Sequence, residues 1–411
     1  MKKWLAVAVL AVPAVVAHPV HAAPEWGKPV EAGGGVTFDP IVEGRLRYEH
    51  IDQPTSKADA LTMRLRTGAE IGLNRLSFLA EAEGTLAMVK DYNAFPFAIA
   101  GGQRRPQFST IADPMNVELN RLHLRYKSAV ATVTVGRQRI NLDDQRWVGS
   151  VAWRQNEQTF DAVRGEAKLG PVSVDGTYAI SQRTLFGVDA GPRQSYDGDF
   201  LFGGVGAKLG PVNVKGFAYL LDYDESFFAA NSSQTYGLRA TATLPVSRAA
   251  RLSLAGSYAR QSDYGSNPFD YAADYIAAEA VVTVKGVGLT AGYERLGSDN
   301  GRALQTPMAT LFKFNGWADV FLTTPADGLR DVYGGVSYNF DGVKALPGLN
   351  AGATYHRYSS DAGSQRYGDE WNVTLGFRLG ATGITARYAA YDAGSFGVDS
   401  RKFWLQAEFA Y

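Results

Sequence analysis

The chain has 411 residues, with 41 basic and 41 acidic side chains, 45 glycines, 12% aromatics and no cysteine. That balance leaves no nucleic-acid footprint, and the absence of cysteine excludes disulfides, thiolate metal sites and thiol catalysis. Beyond the N-terminal segment no run approaches the roughly 20 apolar residues of a membrane helix. Glycine- and aromatic-rich sequence of unremarkable hydropathy instead fits a transmembrane barrel, in which only alternate residues meet lipid.

Lys2 and Lys3 precede an apolar run from Trp4 to Ala17, and small residues follow at Val20-His21-Ala22. Basic, apolar, small is the order of a secretory signal peptide. Cleavage is expected after Ala22, since cutting after Ala23 would put Pro24 first. Losing residues 1–22 removes two lysines and leaves the mature chain slightly acidic. Residues 23–36 are predicted to be a flexible periplasmic lead-in, and residues 37–411 an outer-membrane β-barrel.

Period-two alternation predicts 18 strands. They run near 37–49, 60–72, 75–88, 117–127, 129–138, 157–169, 171–182, 198–209 and 211–222. The rest lie at 233–245, 250–262, 270–285, 287–296, 328–340, 346–359, 369–379, 382–392 and 401–411. Tight connections such as Leu73-Asn74, Gly170-Pro171, Gly210-Pro211 and Gly380-Ala381 alternate with long polar ones, notably 89–116, 139–156 and 297–327. Short periplasmic turns alternating with longer extracellular loops are the asymmetry of outer-membrane barrels. The fold class is therefore all-β: a closed antiparallel transmembrane barrel of about 18 strands. A soluble β-sandwich is the competing reading, and it would rarely sustain so many long strands.

Individual strands divide into two faces. Trp371, Val373, Leu375, Phe377 and Leu379 suit lipid, while Asn372, Thr374, Gly376 and Arg378 suit a wet interior. Arginine or lysine facing lipid at mid-bilayer costs roughly 2–4 kcal/mol, so arginines at this spacing must point into the lumen. In the last strand Phe403, Leu405, Ala407, Phe409 and Tyr411 form one face, and Lys402, Trp404, Gln406 and Glu408 lie on the other. This strand is expected to pair with the first, close the cylinder and present the signal read by the barrel-assembly machinery.

The polar faces of the first third carry Arg45, Arg47, Arg64, Arg66, Glu81, Glu83, Arg121, His123, Arg125 and Arg164. As a group they form a candidate selectivity ladder, because guanidinium forks bind carboxylates bidentately and hydroxyls well. The plainer reading is that opposite charges on neighbouring strands satisfy one another. Arg104 and Arg105, between Pro96 and Pro114, either narrow the mouth or lie on a surface loop. In 297–327 the spacing of Leu304, Met308, Leu311 and Phe312 predicts a short helix, with Trp317 and Phe321 plugging it against the rim and Lys313 facing solute.

Two long stretches carry a resemblance. One runs Gly136-Arg137-Gln138-Arg139-Ile140-Asn141-Leu142, then Arg146-Trp147-Val148-Gly149 and Trp153 to Arg164. The other runs from Leu304 to Asp319 and on through Thr323 to Asp331. Together they resemble the signature of the alginate-export family of outer-membrane porins. The resemblance implies an 18-stranded barrel whose founding members pass alginate through an arginine-rich constriction. Two solute readings stay open: an anionic saccharide such as alginate, or small sugars and organic acids in general.

The mature histidines are His50, His123 and His356, and none lies in a His-x-His or His-Glu pattern. No nucleophile–base constellation is readable, so neither catalysis, metal nor cofactor is expected. The expected partners are outer-membrane lipid, the assembly machinery and a polar or anionic saccharide, with no nucleic acid.

Overall fold

In a computed structural model, residues 29–410 are described; the expected signal segment, residues 23–28 of the expected lead-in and Tyr411 lie outside them. Eighteen antiparallel strands form one closed sheet. The first six are β1 (Val36–Asp52), β2 (Lys57–Leu73), β3 (Leu76–Asp91), β4 (Asn116–Lys127), β5 (Ala131–Gln138) and β6 (Thr159–Leu169). The middle six are β7 (Val172–Arg183), β8 (Ser195–Leu209), β9 (Val212–Tyr223), β10 (Ser233–Pro245), β11 (Ala250–Asp263) and β12 (Ala272–Val284). The last six are β13 (Val287–Leu296), β14 (Leu329–Asn339), β15 (Asn350–Ser359), β16 (Arg366–Leu379), β17 (Thr382–Ala393) and β18 (Ser400–Ala410). Closure is made by β1 against β18, from Glu43 opposite Ala410 to Asp52 opposite Arg401. No open edge is left, as a bilayer requires.

The alternation of the sequence becomes inside and outside. In β18, Leu405 is 47% exposed toward lipid while Trp404 is fully buried in the lumen. Outward tyrosines at the loop ends of strands bond aspartates, as from Tyr258 to Asp274 (2.9 Å) and Tyr355 to Asp369 (2.8 Å). An amphipathic ring with its polar tip at the interface is the usual girdle arrangement. At the opposite end Gly170 and Gly210 take φ of +61°, which lets Gly-Pro close the β6–β7 and β8–β9 hairpins in two residues.

Three expectations change. The lead-in is not wholly free, because Val30–Gly33 forms a short strand folded back on β1, with Val30 opposite Phe38. The first loop shrinks to residues 53–56, because β1 and β2 both extend beyond the predicted ends. The helix expected from Leu304 to Phe312 is a single 3-10 turn, Leu311–Lys313. Leu304, Met308 and Phe312 are buried because this segment crosses the lumen, and Met308 is placed by backbone pairing with another loop, not by helical periodicity.

Candidate functional site

Two segments leave the wall at the loop end and return into the lumen: 139–158, between β5 and β6, and 297–328, between β13 and β14. They are joined to each other. The Gly149 N–H donates to the Met308 carbonyl (2.9 Å) and the Thr310 N–H to the Gln145 carbonyl (3.1 Å). The Thr310 hydroxyl adds a bond to Gln145 Oε1 (2.8 Å). A Cβ on Gly149 would collide with that hydroxyl, so the close approach needs glycine at this position. Together the two segments form a plug.

The wall grips this plug with charge. Arg45 bonds Glu408 through Nε (2.8 Å). Its other end donates to the Ala152, Trp153 and Arg154 carbonyls at 3.0, 3.1 and 3.0 Å. Arg47, fully buried, sits 4.1 Å over the Trp153 ring, donates to the Trp153 carbonyl and lies 3.6 Å from Asp113. Arg387 likewise stands 4.2 Å from the Trp153 ring and 4.7 Å from Trp317. Trp153 itself stacks on Phe312 at 4.2 Å, which ties the two loops through their rings. Cation–π contacts of this kind strengthen when desolvated.

Beside this layer, β1 to β4 carry the carboxylate partners. Arg66 pairs with Glu83, with Glu157 (3.1 Å) and with Glu43 (3.3 Å), and Arg64 lies 3.7 Å from Glu43. Glu81 receives Arg121, Asn120 (2.8 Å) and Arg139 (3.3 Å). A register shift in the β3–β4 pairing near Glu81 brings Asn120 and Arg121 to the same carboxylate, which strict alternation does not allow. Burial pushes the Glu157 carboxyl up, but Arg139 and Arg66, with the Asn120 amide, outweigh it and hold it at about 2. Nearer the turn end, Arg125 pairs with Glu70 and Arg164 with Glu166 (2.8 Å). His123 places Nδ1 3.2 Å from the Arg137 carbonyl.

The opposite wall also holds the plug. Arg146 reaches Glu294 (2.8 Å), Thr306 (3.3 Å) and Asn315 (3.3 Å). Glu370 accepts from the Trp317 and Ala318 N–H groups at 2.6 and 2.9 Å. Between these anchors and β10–β16 lies an open space with a cavity volume of about 90 Å³.

The loop candidates fall elsewhere. Arg104 donates to the Phe97 carbonyl (3.1 Å) and Arg105 to that of Lys90, so both brace their own loop. That loop does enter the barrel mouth. Tyr92, Phe95 and Ile111 pack with Ile51, Ala58 and Ala60, and Asp113 reaches the backbone N–H of Gln155 (2.8 Å). Lys313 lines the open space and donates to the Asp144 carbonyl (2.9 Å); burial lowers its pKa. Asp113, Arg146, Trp153, Arg154, Glu157, Glu370 and Arg387 were not among the sequence candidates. Four of them lie within the two odd, polar-rich stretches that carried the family resemblance.

A closed 18-stranded barrel with an apolar outer band and a polar, plugged lumen defines an outer-membrane channel for polar solutes. Residues 49–277 match the family described as alginate export, and the chain belongs to that family. Among solved structures, Acinetobacter baumannii OccAB4 superposes with a TM-score of 0.73 at 12% identity, covering 91% of this chain and 98% of that one. Pseudomonas aeruginosa OpdK gives 0.70 at 14% identity with the same coverage, and it has also been solved with vanillate. P. aeruginosa OpdL gives 0.67 at 16%, again covering 91% and 98%. No curated protein matches the chain.

Proposed function

We propose that this chain is a narrow, plugged channel that admits small polar solutes one at a time and does not thread a polymer. The observation that carries this reading is the plug's attachment on both sides. Arg45, Arg47 and Arg387 hold it from β1 and β17, while Glu294 and Glu370 hold it from β13 and β16. A partly buried ionic network of this kind resists displacement, because breaking a pair leaves an uncompensated charge. Selectivity then rests on the plug and on the charges that line the open space beside it.

The family's description favours a second reading, in which a polyuronate passes. Planar-bilayer recording separates the two. The narrow-channel reading expects low unit conductance, and current that alginate oligomers interrupt without crossing. Accumulation of the oligomer in the opposite compartment supports the polymer route. The same proposal includes cleavage after Ala22, recognition of β18 by the assembly machinery, and transport without catalysis.

A further inference from the structure

The open space beside the plug has a chemistry unlike that of the arginine-rich wall. Its lining includes Glu279, Glu294, Asp331, Tyr333, Trp317 and Phe314. Tyr333 donates to Glu279 (2.8 Å) and Tyr275 to Glu294 (2.7 Å), while His356 Nδ1 lies 2.9 Å from Asp331. Each carboxylate is thereby held in place with acceptor capacity left over, since an ionised carboxylate offers about four lone-pair sites.

The cations of this space are already engaged. Arg239 pairs with Asp144 at 2.7 Å and reaches Ser257 at 3.0 Å. Arg146 pairs with Glu294, and the Lys313 ammonium donates to the Asp144 backbone carbonyl. A carboxylated solute entering here shares the lining with Glu279, Glu294 and Asp331, while the guanidinium groups of Arg146 and Arg239 are already paired.

Two further atoms point to a ligand. Thr290 is 6% exposed and Asn372 2% exposed; both line the space, and neither Thr290 Oγ1 nor Asn372 Nδ2 has a hydrogen-bond partner. Buried polar atoms are satisfied in the great majority of cases, so a hydroxyl or a carbonyl arriving from the lumen completes this set. Asn372 Oδ1 is meanwhile directed toward the Trp317 N–H (3.4 Å), which leaves the amide donors for the cavity.

We infer that this space, bounded by β10–β16 and the plug, is a binding subsite for uncharged, hydroxyl-rich rings: a neutral saccharide unit. Carboxylates accept from its hydroxyls, Thr290 and Asn372 complete the polar contacts, and the aromatic side chains cover its apolar face. A uronate ring of the same size is disfavoured by like charge. This assignment rests on the narrow-channel reading, because a solute must pause beside the plug for the subsite to act.

The test compares glucose with glucuronate as blockers of single-channel current in the intact protein, at matched ionic strength. Glucose is expected to interrupt the current at concentrations at least several-fold lower than glucuronate. Replacing Glu279→Gln and Asp331→Asn together should narrow that ratio, and Asn372→Ala should weaken glucose block several-fold. Equal block by both sugars in the wild-type chain, or stronger block by glucuronate, overturns the subsite while leaving the narrow channel intact. If the double variant fails to insert, the wild-type ratio alone decides. Passage of polymeric alginate would instead remove the channel reading, and this assignment with it.

Discussion

Between β1 and β6 the lumen wall and the plug form one packed ionic body, whereas between β10 and β16 they stand apart around an open space. Both regions are rich in charge. In the first, Arg45, Arg47 and Arg66 face loop carbonyls, Asp113 and Glu157, so each of these charges meets a partner from another segment. In the second, Glu294 and Glu370 fasten the plug, but Glu279 and Asp331 are held by Tyr333 and His356 of the wall itself, with room beside them. The difference teaches that lumen charge in a barrel has two uses. It fastens inserted chain where partners reach across, and it contacts solute where they do not.

The comparison can be broken at several strengths. Replacing residues 304–322 by a short Gly/Ser linker removes one of the plug's two segments and should raise unit conductance several-fold, with loss of discrimination between solutes. Arg47→Ala keeps the loops but leaves Asp113 only Arg154 at 3.8 Å as a cation and exposes one face of Trp153. Breaking such a buried pair costs about 3–5 kcal/mol, so the thermal midpoint should fall and the open-channel current should become noisy.

Acid acts on the same half. The Glu157 carboxyl sits at about 2 in the folded chain against an ordinary 4.5. Its stabilisation is therefore complete above the ordinary value and is lost as pH falls through about 2. Protonation of Glu157 should loosen the plug only as pH falls below the ordinary carboxylate value, raising conductance there, and Glu157→Gln should flatten that acid limb. The smallest effect belongs to Arg125→Ala, near the turn end, where the Glu70 pair is partly solvated. Exposed pairs contribute about 0–1 kcal/mol, and urea titration should show a change within that range.

Much of the cylinder was legible, because period two is enforced residue by residue wherever lipid lies on one side and water on the other. The closure of β18 on β1 followed from the same logic, with Leu405 and Phe409 outward and Gln406 and Glu408 inward. The plug was not legible in that way. Arg45 acts on the carbonyls of Ala152 to Arg154, more than a hundred residues away, and backbone carbonyls leave no sequence signal. Leu304 and Met308 imitated a helical face because a segment buried on all sides carries apolar residues at any spacing. The bulge that sends both Asn120 and Arg121 to Glu81 likewise breaks a rule that the sequence otherwise keeps. What marked the plug was the density of unusual polar residues around Trp153 and Asn315, which pointed to a family before it pointed to a place.

The central claim is that solute passes along the β10–β16 side and not through the packed body. The absence of cysteine in the chain makes it directly testable. Thr290→Cys introduces a thiol beside the open space, and Thr62→Cys introduces one beneath the plug, where Gln155 now bonds the threonine hydroxyl at 2.8 Å. A charged methanethiosulfonate reagent added during single-channel recording should cut the current of the Thr290→Cys channel and leave that of the Thr62→Cys channel unchanged. Rapid block of the Thr62→Cys channel, with the Thr290→Cys channel unaffected, would contradict the account.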